Sequence, residues 1–167
     1  MNDARINGRS IFPWGKRHQS DGAITTHSLI DHMTDVAAVT YCLLYLPAVQ
    51  RSLQRAAGRS LTDTDCARLA ALAFLHDIGK ANAGFQVRYW SDGKQRPPGW
   101  HVQPCGHGPQ GWGLFDAIQN GLHWPQHILA TLPVEAMDTW GDAWLNLLHA
   151  SISHHGVLVT IESDTVR

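Results

Sequence analysis

Apolar residues return every three or four positions along most of this chain, which is the spacing of amphipathic helices. The pattern predicts a helix over residues 26–46 that ends at Pro47, and a buried helix over residues 62–78. Two more helices are predicted over residues 109–121 and 135–153. Because no segment alternates apolar and polar residues as a strand does, the predicted fold class is all-α, with residues 1–167 forming a single domain.

Two segments lack this periodicity. Residues 1–24 are rich in Gly and Arg and predict a loop-like lead-in, whereas residues 88–111 are rich in Gly, Pro and polar residues. A loop as long as the second one is usually functional or disordered. Within the second helix, Thr62 precedes Asp65 by three residues, a variant of the capping box, and Gly79 marks a point where the helix ends or bends.

Composition and charge narrow the class of protein. The 167 residues carry a formal net charge of −1, which excludes a strongly basic surface for nucleic acid and leaves only local anion-binding sites. Three widely spaced cysteines without a C-x-x-C pattern argue against a disulfide framework or a zinc ribbon. No signal sequence or membrane-spanning stretch is visible, so we expect a cytoplasmic protein with no membrane partner.

The segment around His76-Asp77 carries the clearest chemistry. On a helix, Lys80 lies four residues after His76 and three after Asp77, so all three side chains can reach one cavity. A neutral imidazole binds a transition metal, a carboxylate can bridge two metals, and a lysine can hold a phosphate oxygen. Taken alone, the pair would be read as an ordinary helix end with a surface aspartate.

Further imidazoles lie in separate segments at His32, His107 and the doublet His154-His155. Residues from different helices of a bundle commonly converge on a dinuclear metal site, and we expect that arrangement here. Asp35, three residues after His32, either orients the ring of His32 or lies in solvent.

Together these residues resemble the HD metal-dependent phosphohydrolase superfamily, and in particular the N-terminal HD nuclease domain of the helicase-nuclease of type I CRISPR interference, closest to the type I-E form. The resemblance covers about residues 12–157. It rests on Trp14-Gly15-Lys16, residues 27–32, residues 35–39, residues 75–80, Phe85-Gln86 and His154-His155-Gly156.

The resemblance implies an HD-domain helical bundle with a metal site between helices. It implies that His32, His76 and Asp77 hold a first divalent transition metal such as iron, manganese, nickel or cobalt. It further implies that Asp77 bridges to a second metal and that Lys80 contacts the scissile phosphate. The remaining ligands of the second metal would be His107, His154 and His155.

The family's bundle contains one more metal-binding aspartate on a helix well beyond the histidine doublet. Glu162 and Asp164 follow the doublet too closely to match it, and no phosphate loop of a helicase occurs. We therefore expect residues 1–167 to be an N-terminal fragment of a longer helicase-nuclease, with a weak first metal site.

The predicted substrate is single-stranded DNA, exposed by a crRNA-guided surveillance complex and delivered with the helicase domain. Basic and aromatic residues in the loop suit stacking and phosphate contact, although a disordered insertion fits equally well. They are Arg88, Trp90, Lys94 and Arg96. The alternatives are an HD phosphohydrolase of nucleotides or small phosphate esters, and a non-catalytic docking module with an incomplete metal site.

Overall fold

The structure is a computed structural model that describes residues 5–6, 9–10, 13–21, 23–90, 96, 98, 101–119, 137, 139–156 and 159. The chain is mostly helical, which confirms the predicted class. The expectation that it contains no strand is wrong, because the segment before the first helix forms antiparallel pairs.

Two short antiparallel pairs open the chain. Strands β1 (Arg5–Ile6) and β2 (Arg9–Ser10) form the first pair, and β3 (Trp14–Ser20) and β4 (Ala23–Ser28) form a hairpin. The described side chains of the hairpin are mostly exposed, so its sequence needs no alternation of apolar and polar residues. That is why a search for such alternation missed these strands.

Two helices follow the hairpin and meet at a sharp bend. Helix α1 (Leu29–Leu44) is capped by Ser28, whose side chain accepts from the Asp31 amide. Helix α2 (Pro47–Ala57) begins at the proline that was expected only to end the preceding helix. Proline is well suited to this position, because the first residues of a helix have no intrahelical partner for their amides.

Helix α3 (Asp63–Phe74) begins with the predicted capping box between Thr62 and Asp65. The chain then tightens into a 3-10 segment, Leu75–Ala81, where a continuing α-helix was predicted up to residue 78. Short helix α4 (Ala83–Gln86) and a second 3-10 turn, Val87–Trp90, follow directly.

Two later helices complete the described architecture. They are α5 (Gly108–Gln119) and α6 (Ala143–Ile152), the second of which begins later than the sequence predicted because residues 139–142 form turns. Helices α3 and α6 and the adjoining 3-10 segment pack around an apolar core. Its buried members are Leu72, Leu75, Met137, Leu148, Ile152 and Val159, with Trp112, Trp140 and Trp144 packed against them.

Asp65 joins three parts of the fold. Its side chain accepts from the Thr62 amide at 2.9 Å, from two nitrogens of Arg59, and from Trp140 Nε1 at 3.2 Å. The Arg59 guanidinium, followed by the Thr62 amide, holds the pKa of this buried carboxyl well below its usual range. One side chain therefore ties the start of α3 to the α2–α3 connection and to Trp140.

Asp65→Asn is expected to lower the free energy of unfolding by about 2 kcal/mol at pH 7, because a buried ionic contact and part of the cap are lost. Since folding depresses the carboxyl pKa, its stabilisation is present above the unfolded value of about 4 and declines as the pH falls through it. Urea unfolding of both proteins between pH 7 and 3 measures this. Equal losses of stability on acidification would contradict the assignment, because the variant lacks the titrating group.

No single described helix is long and apolar enough to cross a membrane; only α1 and α2 taken together, bent by 85°, reach the required length and composition. On α2, Arg51 and Arg55 lie on the exposed face, as a solvated helix surface would place them.

Candidate metal centre

Asp77 lies at the centre of a cluster of imidazoles. Its side chain is 2% exposed, and its Oδ2 atom lies 3.1 Å from His32 Nε2 and 3.2 Å from His76 Nε2. The Lys80 ammonium lies 2.6 Å from the same oxygen. One carboxylate oxygen thus faces one half of the predicted ligand set.

The other carboxylate oxygen faces the second half. Asp77 Oδ1 lies 3.1 Å from His107 Nε2 and 3.6 Å from His154 Nε2. The doublet's other member, His155, places its Nε2 atom 3.0 Å from His107 Nε2. The six predicted metal ligands therefore lie together, although they come from α1, the 3-10 segment, and the residues before α5 and after α6.

The 3-10 segment sets the position of the His-Asp pair. His32 comes from the buried face of α1, and the 3-10 segment packs against α1, α5 and α6. Gly79 permits the approach to α5: a Cβ atom built on it would collide with the carbonyl of His107 and with the backbone of Gly111. The close approach brings His107 to the same carboxylate as His76.

Asn82 connects the 3-10 segment to the segment before His107. Its Oδ1 atom accepts from the Phe85 amide at 2.8 Å, and its Nδ2 atom donates to the carbonyls of Gly79 and Gly106. Cys105 also donates its thiol to Asn82 Oδ1 at 3.1 Å. The residue that caps α4 thus also fixes the approach of His107.

Gln86 fastens the N-terminal hairpin to the same region. Its side-chain amide exchanges hydrogen bonds with the backbone of Trp14, accepting at 3.0 Å and donating at 3.1 Å, and also donates to the Lys80 carbonyl at 2.6 Å. The next residue along the strand, Gly15, accepts from Lys80 Nζ at 3.1 Å. The strand therefore lies against the segment that carries Asp77.

The charge balance of the cluster keeps Asp77 ionised. Burial alone would raise the pKa of Asp77, but its contacts with His107, His76 and Lys80 outweigh burial and hold the pKa well below its usual range. Burial lowers the pKa of His32 and of His154. The anionic form of Asp77 and the neutral form of His32 and His154 are the protonation states that metal ligands require.

The donor set fits divalent transition metals. Asp77 Oδ1 is buried, and although His107 Nε2 lies 3.1 Å away, the two atoms are not aligned as a hydrogen bond, so an acceptor lone pair is available between two imidazoles. Two groups bring their ligand atoms within 4.8 Å of one another: His32 with His76 and Asp77, and His107 with His154 and His155. Imidazole nitrogen and carboxylate oxygen together suit such ions.

The predicted DNA contacts are less clustered. The Arg88 guanidinium lies 5.3 Å from the centre of the Phe85 ring, which itself lies 5.2 Å from the His107 ring. Trp90 packs against Tyr89 at 5.2 Å, and exposed Arg96 reaches the Val102 carbonyl at 3.4 Å. Lys94, like Trp100, lies outside the described residues.

The structure decides between the two alternatives for Asp35. Asp35 does not contact His32 but lies 3.0 Å from His27 Nε2, and it is largely exposed. Lys80 reaches Asp77 and the Gly15 carbonyl, so its predicted contact with a scissile phosphate stays a prediction. Glu162 and Asp164 lie outside the described residues, and the predicted weakness of the first metal position also stays a prediction.

Sequence reasoning missed Asn82, and it quoted Gln86 only as part of the Phe85-Gln86 segment, without a supporting role. An asparagine three residues before Phe85 carries the signal of a helix N-cap, which could have revealed Asn82. The role of Gln86 carried no comparable signal, because its side-chain bonds to Trp14 reach across 72 residues to strand β3 and only its bond to the Lys80 carbonyl is local.

Comparison with family models matches residues 14–167 to the model described as "Cas3, HD domain". Neither the curated proteins nor the solved structures gave a match.

Proposed function

Since the chain belongs to the HD-domain family of Cas3, the CRISPR-associated nuclease, we propose that it hydrolyses phosphodiester bonds of single-stranded DNA in type I CRISPR interference. The observation that supports this most is the division of ligands around Asp77, with two imidazoles beside Oδ2 and two beside Oδ1. In this proposal Asp77 would be a ligand shared by the two cations.

Each half of the cluster has a distinct part in the proposal. His32 and His76 would hold a first cation and His107, His154 and His155 a second, with Asp77 between them. Transition-metal cations such as iron, manganese, nickel or cobalt supply a Lewis acid that polarises the phosphodiester and lowers the pKa of water. Lys80 offsets the charge of Asp77 and holds its Oδ2 atom in place.

The exposure of the second group favours a polymeric substrate. His154 and His155 are exposed while Asp77 and His32 are buried, so the cluster opens to solvent on the side of the doublet. A single strand can present one phosphate to such an opening without the second strand of a duplex. The net charge of −1 gives little long-range attraction for DNA, so we infer that delivery depends on a crRNA-guided surveillance complex and a helicase domain.

The function is tested with the purified protein, Mn²⁺, Co²⁺ or Ni²⁺, and circular single-stranded DNA. We expect the circle to be degraded and an intact duplex of the same sequence to resist, with chelator abolishing cleavage. Deoxynucleoside triphosphates are expected to be poor substrates.

Rapid hydrolysis of triphosphates with intact single-stranded DNA would contradict the proposal and favour a phosphohydrolase of small esters. Bound metal without hydrolysis of either substrate would favour a docking module. A variant that lacks Asp77 serves as the control for contaminating nuclease in each reaction.

A further inference from the structure

The segment Trp14-Gly15-Lys16 on strand β3 borders the candidate metal centre. A Cβ atom built on Gly15 would lie 2.9 Å from the Leu29 Cα atom and 3.1 Å from the His32 Cβ atom. The strand therefore passes against the start of α1 at the level of His32, with no room for a side chain at residue 15. The next residue along the strand is Lys16.

An irregularity in the hairpin directs that next side chain. The register shifts at Gly15, the extra residue between the pairs Trp14–Ser28 and Lys16–His27. Bulges of this kind turn the following side chain, and they recur beside active sites. The shift leaves Lys16 paired with His27.

The pairing with His27 locates Lys16 relative to the ligands. Directly paired residues of antiparallel strands extend their side chains on the same face of the ribbon. The His27 ring lies 6.3 Å from the His32 ring, so this face borders the candidate metal centre. Lys16 is exposed, and its ammonium has no ion pair or side-chain hydrogen bond among the described residues.

The other lysine of the centre is fully engaged. The Lys80 ammonium lies 2.6 Å from Asp77 Oδ2 and 3.1 Å from the Gly15 carbonyl, and its side chain is 12% exposed. A phosphate that reached Lys80 would have to replace contacts that hold the carboxylate and the strand. Lys16 is free to meet a phosphate without disturbing either.

We propose that Lys16 is a substrate-binding residue, whose ammonium contacts a phosphate of the single strand next to the bond that is cut. This inference rests on the proposed function and adds to it a residue that binds the strand outside the candidate metal ligands. A lysine suits this task, because its compact charge can follow a mobile phosphate without a fixed bidentate geometry. The contact stabilises the bound strand equally before and during hydrolysis, so it lowers KM and leaves kcat nearly unchanged.

The test compares Lys16→Ala, Lys16→Arg and Lys16→Glu with the unchanged protein on a single-stranded oligonucleotide. Loss of one phosphate contact is expected to raise KM about tenfold with little change in kcat, and the glutamate variant should be worse. Arginine should restore most of the affinity. The slope of log(kcat/KM) against log[salt] should become shallower by about 0.7 for the alanine variant, as expected for one contact to a single strand.

Arg51→Ala provides the matched control, because it removes one exposed positive charge from α2. Equal effects of Lys16→Ala and Arg51→Ala, or an unchanged KM in the Lys16 variants, would overturn the inference. Metal content and thermal unfolding of each variant should match the unchanged protein. If the unchanged protein fails to cut single-stranded DNA, the proposed function is wrong. If the unchanged protein cuts it and the Lys16 variants have the same KM, the inference alone is wrong.

Discussion

Asp77→Ala is expected to remove most of the divalent metal that the protein retains and to lower its nuclease rate by more than about 100-fold. Loss of a residue that only supports a metal ligand costs about 10–100-fold, and Asp77 would be a ligand to both cations. The measurement is elemental analysis of protein purified without chelator, followed by cleavage of single-stranded DNA under the same conditions.

Asp142→Ala is the matched control, because Asp142 is exposed and its side chain makes no capping hydrogen bond at the start of α6. It should keep full metal content and activity. Circular dichroism distinguishes loss of metal from loss of fold in the Asp77 variant. Equal metal in the Asp77 variant and the unchanged protein would refute the assignment of Asp77 as a ligand.

Gly79→Ala is expected to lower the free energy of unfolding by about 3 kcal/mol and to disturb the metal centre. The added methyl group would collide with backbone atoms of His107 and Gly111, which cannot turn away as a flexible side chain can. Relief requires the 3-10 segment and α5 to separate, which moves His107 away from Asp77. Urea unfolding measures the first effect and metal titration the second.

The control for this substitution lies on the facing helix. Gly113 belongs to α5, and a Cβ atom there would meet nothing within 4 Å. Gly113→Ala should leave the centre intact and stabilise the protein by up to about 1 kcal/mol through helix propensity. If both glycine variants behave alike, the close approach at Gly79 does not hold the centre together.

The candidate ligands could be predicted from the sequence, because histidine and aspartate bind metals through their own side chains and can be recognised by residue type. Histidine in separate segments and one His-Asp pair predicted a common cluster, and the structure brings His32, Asp77 and His107 together. The pattern of apolar residues likewise predicted α1, and the spacing of Thr62 and Asp65 predicted the capped start of α3. What the sequence could supply was the set of candidate ligands and the helix that carries His32.

The residues that hold the candidate metal centre in position bond to backbone groups, and a backbone partner cannot be predicted from residue type. The amide of Gln86 bonds to the backbone of Trp14, which any residue could in principle provide. The hairpin is stabilised by its hydrogen-bonded ladder and by attachment to the helices, so β3 and β4 show no apolar alternation. The 3-10 segment after α3 packs against α1, α5 and α6, and these contacts appear only in the folded molecule.

The attachment of β3 to the 3-10 region also bears on how the molecule folds. Gln86 and Trp14 are 72 residues apart, His107 and His155 are 48 apart, and His32 and Asp77 are 45 apart. Closing loops of this size costs chain entropy before the contacts repay it, so such pairings form late and slowly. During synthesis from the N-terminus, the cluster that contains His32 cannot form until residue 155 has been synthesised. The candidate metal centre is therefore a product of nearly the whole folded segment, and no short peptide from it would hold the same set of candidate ligands in place.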